Sequence, residues 1–337
     1  MAFKDKNLFA CGSASMPDSD TPTEIGGAPD RTTKVSFADL SGAADNVKVV
    51  SDAAGDTTQT VTIYGRLADG SLVSETLSLN GTTPSADSAN QYTMIMKATL
   101  SANCAGNVAL YKKTAVHSGT CQATGQAVDN IRLDSGADAS DDTYNGMIWR
   151  GTAGTNANKL REICNYIGAT KDAEVRDLPA ACDGTTTFAI YEGVIFEKAW
   201  DGTNDISEVR RPFYDALANQ NVGDAEKKYY EKFFAVNTHA TLALTGSTVQ
   251  EVAGGVAAIV AFALESSLDG TDTNGAGNNR LVAPAGYTFD SASKNVPSSG
   301  NFQPNKAIGI WIELTLAGGA TPQDSFWKFK VVGGTGA

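Results

Sequence analysis

Between residues 308 and 316 the chain alternates without a break: Ile308, Ile310, Ile312, Leu314 and Leu316 against Gly309, Trp311, Glu313 and Thr315. A period of two sends successive side chains to opposite faces of an extended backbone, whereas a helix needs apolar residues three and four apart. The segment is therefore predicted as a strand, with the isoleucine side as its one buried face. The pattern recurs in short runs. Trp327, Phe329 and Val331 alternate with Lys328 and Lys330. Residues 60–65 alternate and are β-branched, and Asp69-Gly70 after them is a two-residue hairpin signal. Residues 47–50, 72–79, 92–100 and 108–111 complete the series, with Gly55-Asp56 and Asn80-Gly81 as turns. Strands about ten residues apart with such punctuation predict a sandwich or barrel.

Other segments carry more than one reading. Residues 229–236 have aromatics on both faces, which predicts a strand covered on both sides. Val256, Ala258, Val260, Phe262 and Leu264 fit one side of a strand or an Ala-rich helix, and the strand is preferred. Residues 159–166 allow a helix, but the flanking turns favour strands.

The expected fold class is all-β: tandem antiparallel β-sandwich or barrel domains with an extended N-terminal arm. A length of 337 residues suggests about two or three domains. Residues 1–34 carry little periodic apolar pattern, and Ser13 through Arg31 is rich in Ser, Thr, Asp, Pro and Gly, a composition that cannot bury enough to fold alone. They read as a floppy terminus or as an arm that orders on a neighbouring subunit. Residues 35–135 read as a β-sandwich domain, 136–200 as a small barrel-like module and 201–337 as a C-terminal β-sandwich. Residues 114–140 read as a linker or long loop, and residues 269–304 as a contact or display loop.

Charged residues make up 19% of the chain, against about 25% in an average domain. The polar surface must come from Thr, Ser, Asn and Gly, which lose less rotamer freedom when surfaces pack. A net charge of −12 repels phosphate backbones, so no nucleic-acid partner is expected. No apolar run approaches the length of a membrane span, so no membrane partner is expected. The N-terminus lacks the apolar region of a signal peptide, which predicts synthesis in a cytoplasm. Cys11, Cys104, Cys121, Cys164 and Cys182 are odd in number and irregular in spacing. They read as reduced, mostly buried thiols, with Cys104–Cys121 or Cys164–Cys182 as alternative loop closures.

The sequence offers little chemistry. His117 and His239 lie in no metal-ligand spacing, and His239 reads as a hydrogen-bonded turn histidine. No nucleophile elbow, P-loop or dinucleotide fingerprint is present. Glu192, Glu197, Asp201 and Asp205 cluster as a glycosidase pair would, but read as surface acidity. The loops 134–142 and 269–275 carry oxygen ligands suited to calcium, yet neither follows the EF-hand pattern and both read as solvated turns. No catalytic residue, cofactor or metal is expected, and the chain is read as non-enzymatic.

Three segments carry a resemblance. Asp56-Thr57-Thr58-Gln59-Thr60-Val61-Thr62-Ile63-Tyr64-Gly65 with Ser74-Glu75-Thr76-Leu77-Ser78-Leu79-Asn80-Gly81-Thr82-Thr83-Pro84 resembles a strand-turn-strand module of tailed-bacteriophage virion proteins. Tyr144-Asn145-Gly146-Met147 through Gly168-Ala169-Thr170-Lys171 resembles another. The stretch from Tyr230-Glu231-Lys232-Phe233-Phe234 and Asn237-Thr238-His239-Ala240-Thr241-Leu242 to Ala307-Ile308-Gly309-Ile310-Trp311 is similar to their C-terminal β-sandwich. The resemblance implies a virion structural protein without catalytic residues. First comes a capsid decoration or cement protein that bridges major capsid subunits, with a tail, neck or baseplate component as the alternative. A glycan-binding adhesin is a reading of a different class. The implied partners are the major capsid protein or other virion proteins and further copies of the chain, a homotrimer being expected for the three-fold sites of a shell. The implied location is the virion, assembled in the host cytoplasm. Phe3, Phe9, Trp149 and Trp200 are the candidate aromatic anchors for partner pockets.

Overall fold

A computed structural model describes residues 4–36, 43–219, 221–252, 260–320 and 328–335. Among these the chain is all-β: twenty-two strands, numbered β1 to β22 along the chain, and one short 3₁₀ turn at Asp5–Asn7. It divides into two compact units. One combines residues 1–37 with 211–337, and the other is the continuous segment 38–210.

The first unit is a sandwich. Its larger sheet runs β19 (Val260–Leu268), β21 (Ala307–Leu316), β17 (Lys227–Asn237), β1 (Leu8–Ser15), β2 (Gly26–Val35). The smaller runs β20 (Lys294–Asn295), β18 (Leu244–Val252), β22 (Lys328–Thr335). Phe233, Ile308, Ile310, Ile312 and Phe262 from the larger sheet meet Leu244, Val249, Val296 and Phe302, with Phe329 and Val331 packed alongside. The isoleucine face is thus buried as its period predicts.

Three expectations change here. Residues 1–34, read as an arm, supply two strands instead, β1 (Leu8–Ser15) and most of β2 (Gly26–Val35). β1 pairs antiparallel with β17 from Leu8↔Asn237 to Gly12↔Phe233, and β2 pairs with β1. The polar composition misleads because a few apolar residues, Phe9, Cys11, Ile25 and Val35, are buried, while main-chain ladder bonds pair the polar remainder. Second, β21 is buried on both faces from Ala307 to Ile312. Trp311 packs with Ile25, Tyr230 and Ala263, and Tyr287 and Phe289 lie against them. Third, the 269–304 segment is no free loop, because Asn274, Arg280, Val296 and Phe302 are buried. The alternative of an Ala-rich helix falls partly outside the described residues, at 253–259. Residues 260–268 are strand β19.

The second unit holds three sheets. One has the order β16 (Glu208–Arg210), β7 (Met94–Leu100), β4 (Thr60–Arg66), β5 (Leu72–Ser78). Another has β15 (Gly193–Phe196), β8 (Val108–Lys112), β3 (Asp45–Ser51), β6 (Gln91–Tyr92). The third has β10 (Asn130–Arg132), β13 (Asp172–Val175), β12 (Leu160–Ile167), β11 (Ile148–Ala153), β14 (Thr187–Tyr191), β9 (His117–Thr120). Val50, Ala109, Tyr111 and Ile195 share one core with Ile148 and Leu160 of the six-stranded sheet. Its other core gathers Trp149, Tyr166, Phe188 and Ile190.

Residues 114–140 are therefore not a linker. His117–Thr120 pairs with β14 and Asn130–Arg132 with β13, as edge strands of that sheet. His-Ser-Gly-Thr has no apolar alternation because an edge strand that short needs little burial of its own. A boundary near residue 135 is likewise crossed by pairing, and β15 returns to β8 from beyond β14.

Candidate functional site

Three of the four aromatic anchors chosen from sequence are buried. Phe3 lies outside the described residues. Phe9 is 5% exposed, Trp149 0% and Trp200 6%. Side chains spent on their own chain's core cannot fill a partner's pocket, so these three are corrected from docking residues to packing residues. Trp149 stacks near Phe188 with ring centroids 6.5 Å apart, and the Lys34 ammonium lies 5.4 Å from the Phe9 ring centre.

The charged candidates are occupied locally. Glu192 pairs with Lys112, Glu197 with Arg176, and Asp205 with Lys198. Asp201 accepts the amides of Thr203 and Asn204. They make separate ion pairs and turn caps, not one facing pair. In the loop 134–142, Asp134 contacts His117 Nε2 at 2.6 Å, and Asp138 and Asp142 bind Ser140 and Asn145. In the loop 269–275, Asp269 binds Lys306 and Asp272 accepts the Tyr287 hydroxyl. His239 is a turn histidine: its Nδ1 accepts the amides of Thr241 and Leu242.

The feature that faces outward is strand β5, which ends its sheet. The hairpin from β4 closes with Leu67 N donating to Ser71 O, and Gly70 takes φ +82° in the turn. At the far end Leu79 N donates to Gln59 O. These two bonds fix the parity of the ladder, whose register runs from Thr60↔Ser78 to Arg66↔Leu72. In an antiparallel pair, hydrogen-bonded and non-bonded partners alternate. The bonded pairs are then Val61/Leu77, Ile63/Glu75 and Gly65/Val73. The main-chain amides and carbonyls of Leu72, Ser74, Thr76 and Ser78 point away from β4, and no described strand pairs with them. The side chains of these four residues are exposed, while Leu77 is buried.

Glu75 fixes this edge from its inner side. Its carboxylate accepts the Ala89 amide at 2.6 Å, the Asn90 amide at 3.2 Å, Asn90 Nδ2 at 2.9 Å and the Tyr92 hydroxyl at 3.3 Å. Partial burial pushes the Glu75 carboxyl upward, but these donors outweigh it and hold it below the usual carboxylate range. The same carboxylate and burial push the Tyr92 hydroxyl up to about 12. The surface β5 presents is hydroxylated at Ser74, Thr76 and Ser78, apolar at Leu72, and uncharged apart from this tethered glutamate.

Within the first unit lies a buried polar centre that sequence reasoning missed. Lys232 is 0% exposed and Glu265 2%. Lys232 Nζ donates to Glu265 Oε1 at 2.5 Å and to the carbonyls of Gly27 at 2.8 Å and Asp272 at 3.1 Å. It sits 4.7 Å from the Phe234 ring centre and 5.6 Å from that of Trp311. A Cβ at Gly309 would overlap the Glu265 carboxylate, so the glycine makes the space. Burial pushes the lysine down and the glutamate up, and their mutual attraction opposes both shifts. An open hollow of about 480 Å³ lined by Glu265, Asp272, Tyr287 and Lys294 adjoins the pair. The signal was present in the sequence: a Glu231-Lys232 dipeptide in a strand covered on both sides must bury its charges, and buried charges need partners.

No family model matches the chain, and no curated protein does. A solved structure of a mutant VP2 protein of infectious bursal disease virus, from derived T=1 particles, is 14% identical. The match covers 96% of this chain and 71% of that one, with a TM-score of 0.11, and carries no argument at that level.

Proposed function

We propose that the chain is a structural component of a tailed-bacteriophage virion, a decoration or cement protein that attaches to the capsid shell. The observation that carries this reading is the open edge of β5. Four outward amide and carbonyl sets in a row accept an added strand from a partner, with main-chain hydrogen bonds supplying adhesion. Repetition of such a contact over a symmetric shell raises its net strength through avidity. The Ser/Thr-rich, charge-poor exposed side of the edge supports it, since short side chains lose little entropy on being covered. The clamp is assigned to this sheet edge and not to an arm, because residues 8–35 belong to the chain's own sheet.

The test is co-sedimentation of the purified protein with expanded, undecorated capsids of the phage that encodes it. Saturable binding that Ser74→Pro abolishes is the expected result. Absence of binding, with assembly of the protein alone into rings or tubes, overturns the head assignment in favour of the tail.

A further inference from the structure

We propose that Cys121 and Cys182 form an intramolecular cystine when the folded protein meets a disulfide oxidant such as oxidised glutathione. The inference concerns the second unit alone and stands apart from the proposed function. None of the five cysteines is in a disulfide, and the two closures suggested by sequence order do not arise. The fold brings together a pair that neither spacing suggested. Cys121 follows β9, and its amide donates to Thr186 O at 2.9 Å. Cys182 lies four residues before Thr186, in the segment leading into β14. The two segments run side by side, so that a Cβ at Gly184 would lie 3.3 Å from Ala123 Cβ. Both cysteines belong to one core cluster, 3% and 4% exposed, and each thiol is the leading influence on the other's proton affinity.

The local chemistry assigns the roles. Asn156 Nδ2 donates to Cys182 Sγ at 3.5 Å, a contact that favours its thiolate. The Cys121 contact, first of all, holds the Cys182 thiol below its ordinary value, while the same contact and burial push Cys121 up. With the Asn156 amide on its sulfur and an exposed segment directly before it, Cys182 is the attacking thiolate and Cys121 the resolving thiol. Pro179, Ala180 and Ala181 just before Cys182 are exposed, so a short local opening of that segment admits the oxidant. Cys182 Sγ attacks one sulfur of oxidised glutathione, breaking its S–S bond and releasing one glutathione thiolate, which takes up a proton. Cys121, giving up its proton, then attacks Cys182 Sγ and expels the second glutathione. Two protein thiols are oxidised, one glutathione disulfide is reduced to two thiols, and a loop of on the order of 60 residues is closed.

The experiment treats the folded full-length protein with oxidised glutathione, quenches with acid and maps the peptides by mass spectrometry. The expected product is lighter by two hydrogens, carries one link between the Cys121 and Cys182 peptides, and melts several degrees higher until dithiothreitol is added. A Cys182→Ser variant is expected to lose both the link and the rise in Tm. The wild-type map decides the matter even if that variant does not fold. Links to Cys104 or Cys164, stable separate glutathione adducts on the two cysteines, or a folded protein that stays fully reduced while a urea-unfolded control oxidises would each overturn the proposal.

Discussion

At the scale of single residues, the costliest arrangement in the first unit is the Lys232–Glu265 pair. Two charges leave water there, and the three backbone carbonyls around Nζ, those of Gly27, Gly270 and Asp272, help offset their desolvation. Removing one partner strands the other. Lys232→Met is expected to cost about 3–5 kcal/mol, read as a fall in the urea midpoint at unchanged slope. The double variant Lys232→Met/Glu265→Leu is expected to recover most of that loss, and a double variant as weak as the single one would contradict the account. In the second unit, Asp56 accepts the amides of Ala105 and Gly106 and the Ser51 hydroxyl. Burial raises its carboxyl, but these donors prevail and hold it below the ordinary 3.8. A depressed folded value contributes stability above the unfolded pKa and loses it as pH falls through the folded one. Asp56→Asn should therefore cost about 2 kcal/mol near neutrality, with the gap to wild type closing in acid below 3.8. Denaturant titrations at neutral and acid pH measure this directly.

At the scale of elements, the parity of β5 makes a sharp prediction. Proline removes one N–H and is tolerated where that group faces outward. Thr76→Pro and Ser74→Pro should leave the second unit folded with a loss of about 1 kcal/mol or less. Glu75→Pro, one residue away, breaks a bond to β4 and should cost about 3 kcal/mol or more. Thermal melts of the three variants check it, as does fast amide exchange at Leu72, Ser74, Thr76 and Ser78 beside slow exchange at Val73, Glu75 and Leu77. Much of this element was legible beforehand, since Asp69-Gly70 and the flanking alternation mark the hairpin. That β5 is the last strand of its sheet was not legible, because being an edge is a property of what fails to pair with a strand. The same reason hid β9, β10 and the folding of residues 8–35 onto β17. Their partners lie far off in sequence, and local composition carries no trace of them. Trp149 and Trp200 misled for a complementary reason: an aromatic side chain suits a core and an interface equally well.

At the scale of the whole molecule, one unit is a continuous stretch and the other is assembled from two separated ones. A fragment of residues 38–210 keeps all the described strands from β3 to β16. It is expected to unfold cooperatively by itself, with a circular dichroism melt as the readout. A fragment of residues 211–337 lacks β1 and exposes the edge of β17 that β1 covers from Asn237 to Phe233. It is expected to aggregate or remain unfolded, and to be rescued by a peptide of residues 1–37 supplied in trans. Independent folding of the 211–337 fragment would show that β1 and β2 are dispensable to the sandwich.

That division also sets a timetable for synthesis. Cys11 of β1 meets Phe234 of β17, so the first strand is made long before its neighbour. At about 5–20 residues per second the wait is on the order of 10–45 s. During it β1 has only β2 as a partner, and a lone two-stranded ribbon is marginal in water. The nascent chain thus trails an unsatisfied strand edge while the inserted unit completes itself, and β1 gains its second neighbour only when β17 leaves the ribosome. Slowing elongation within residues 211–237 prolongs that exposure, whereas slowing it within the inserted unit also gives that unit time to finish first.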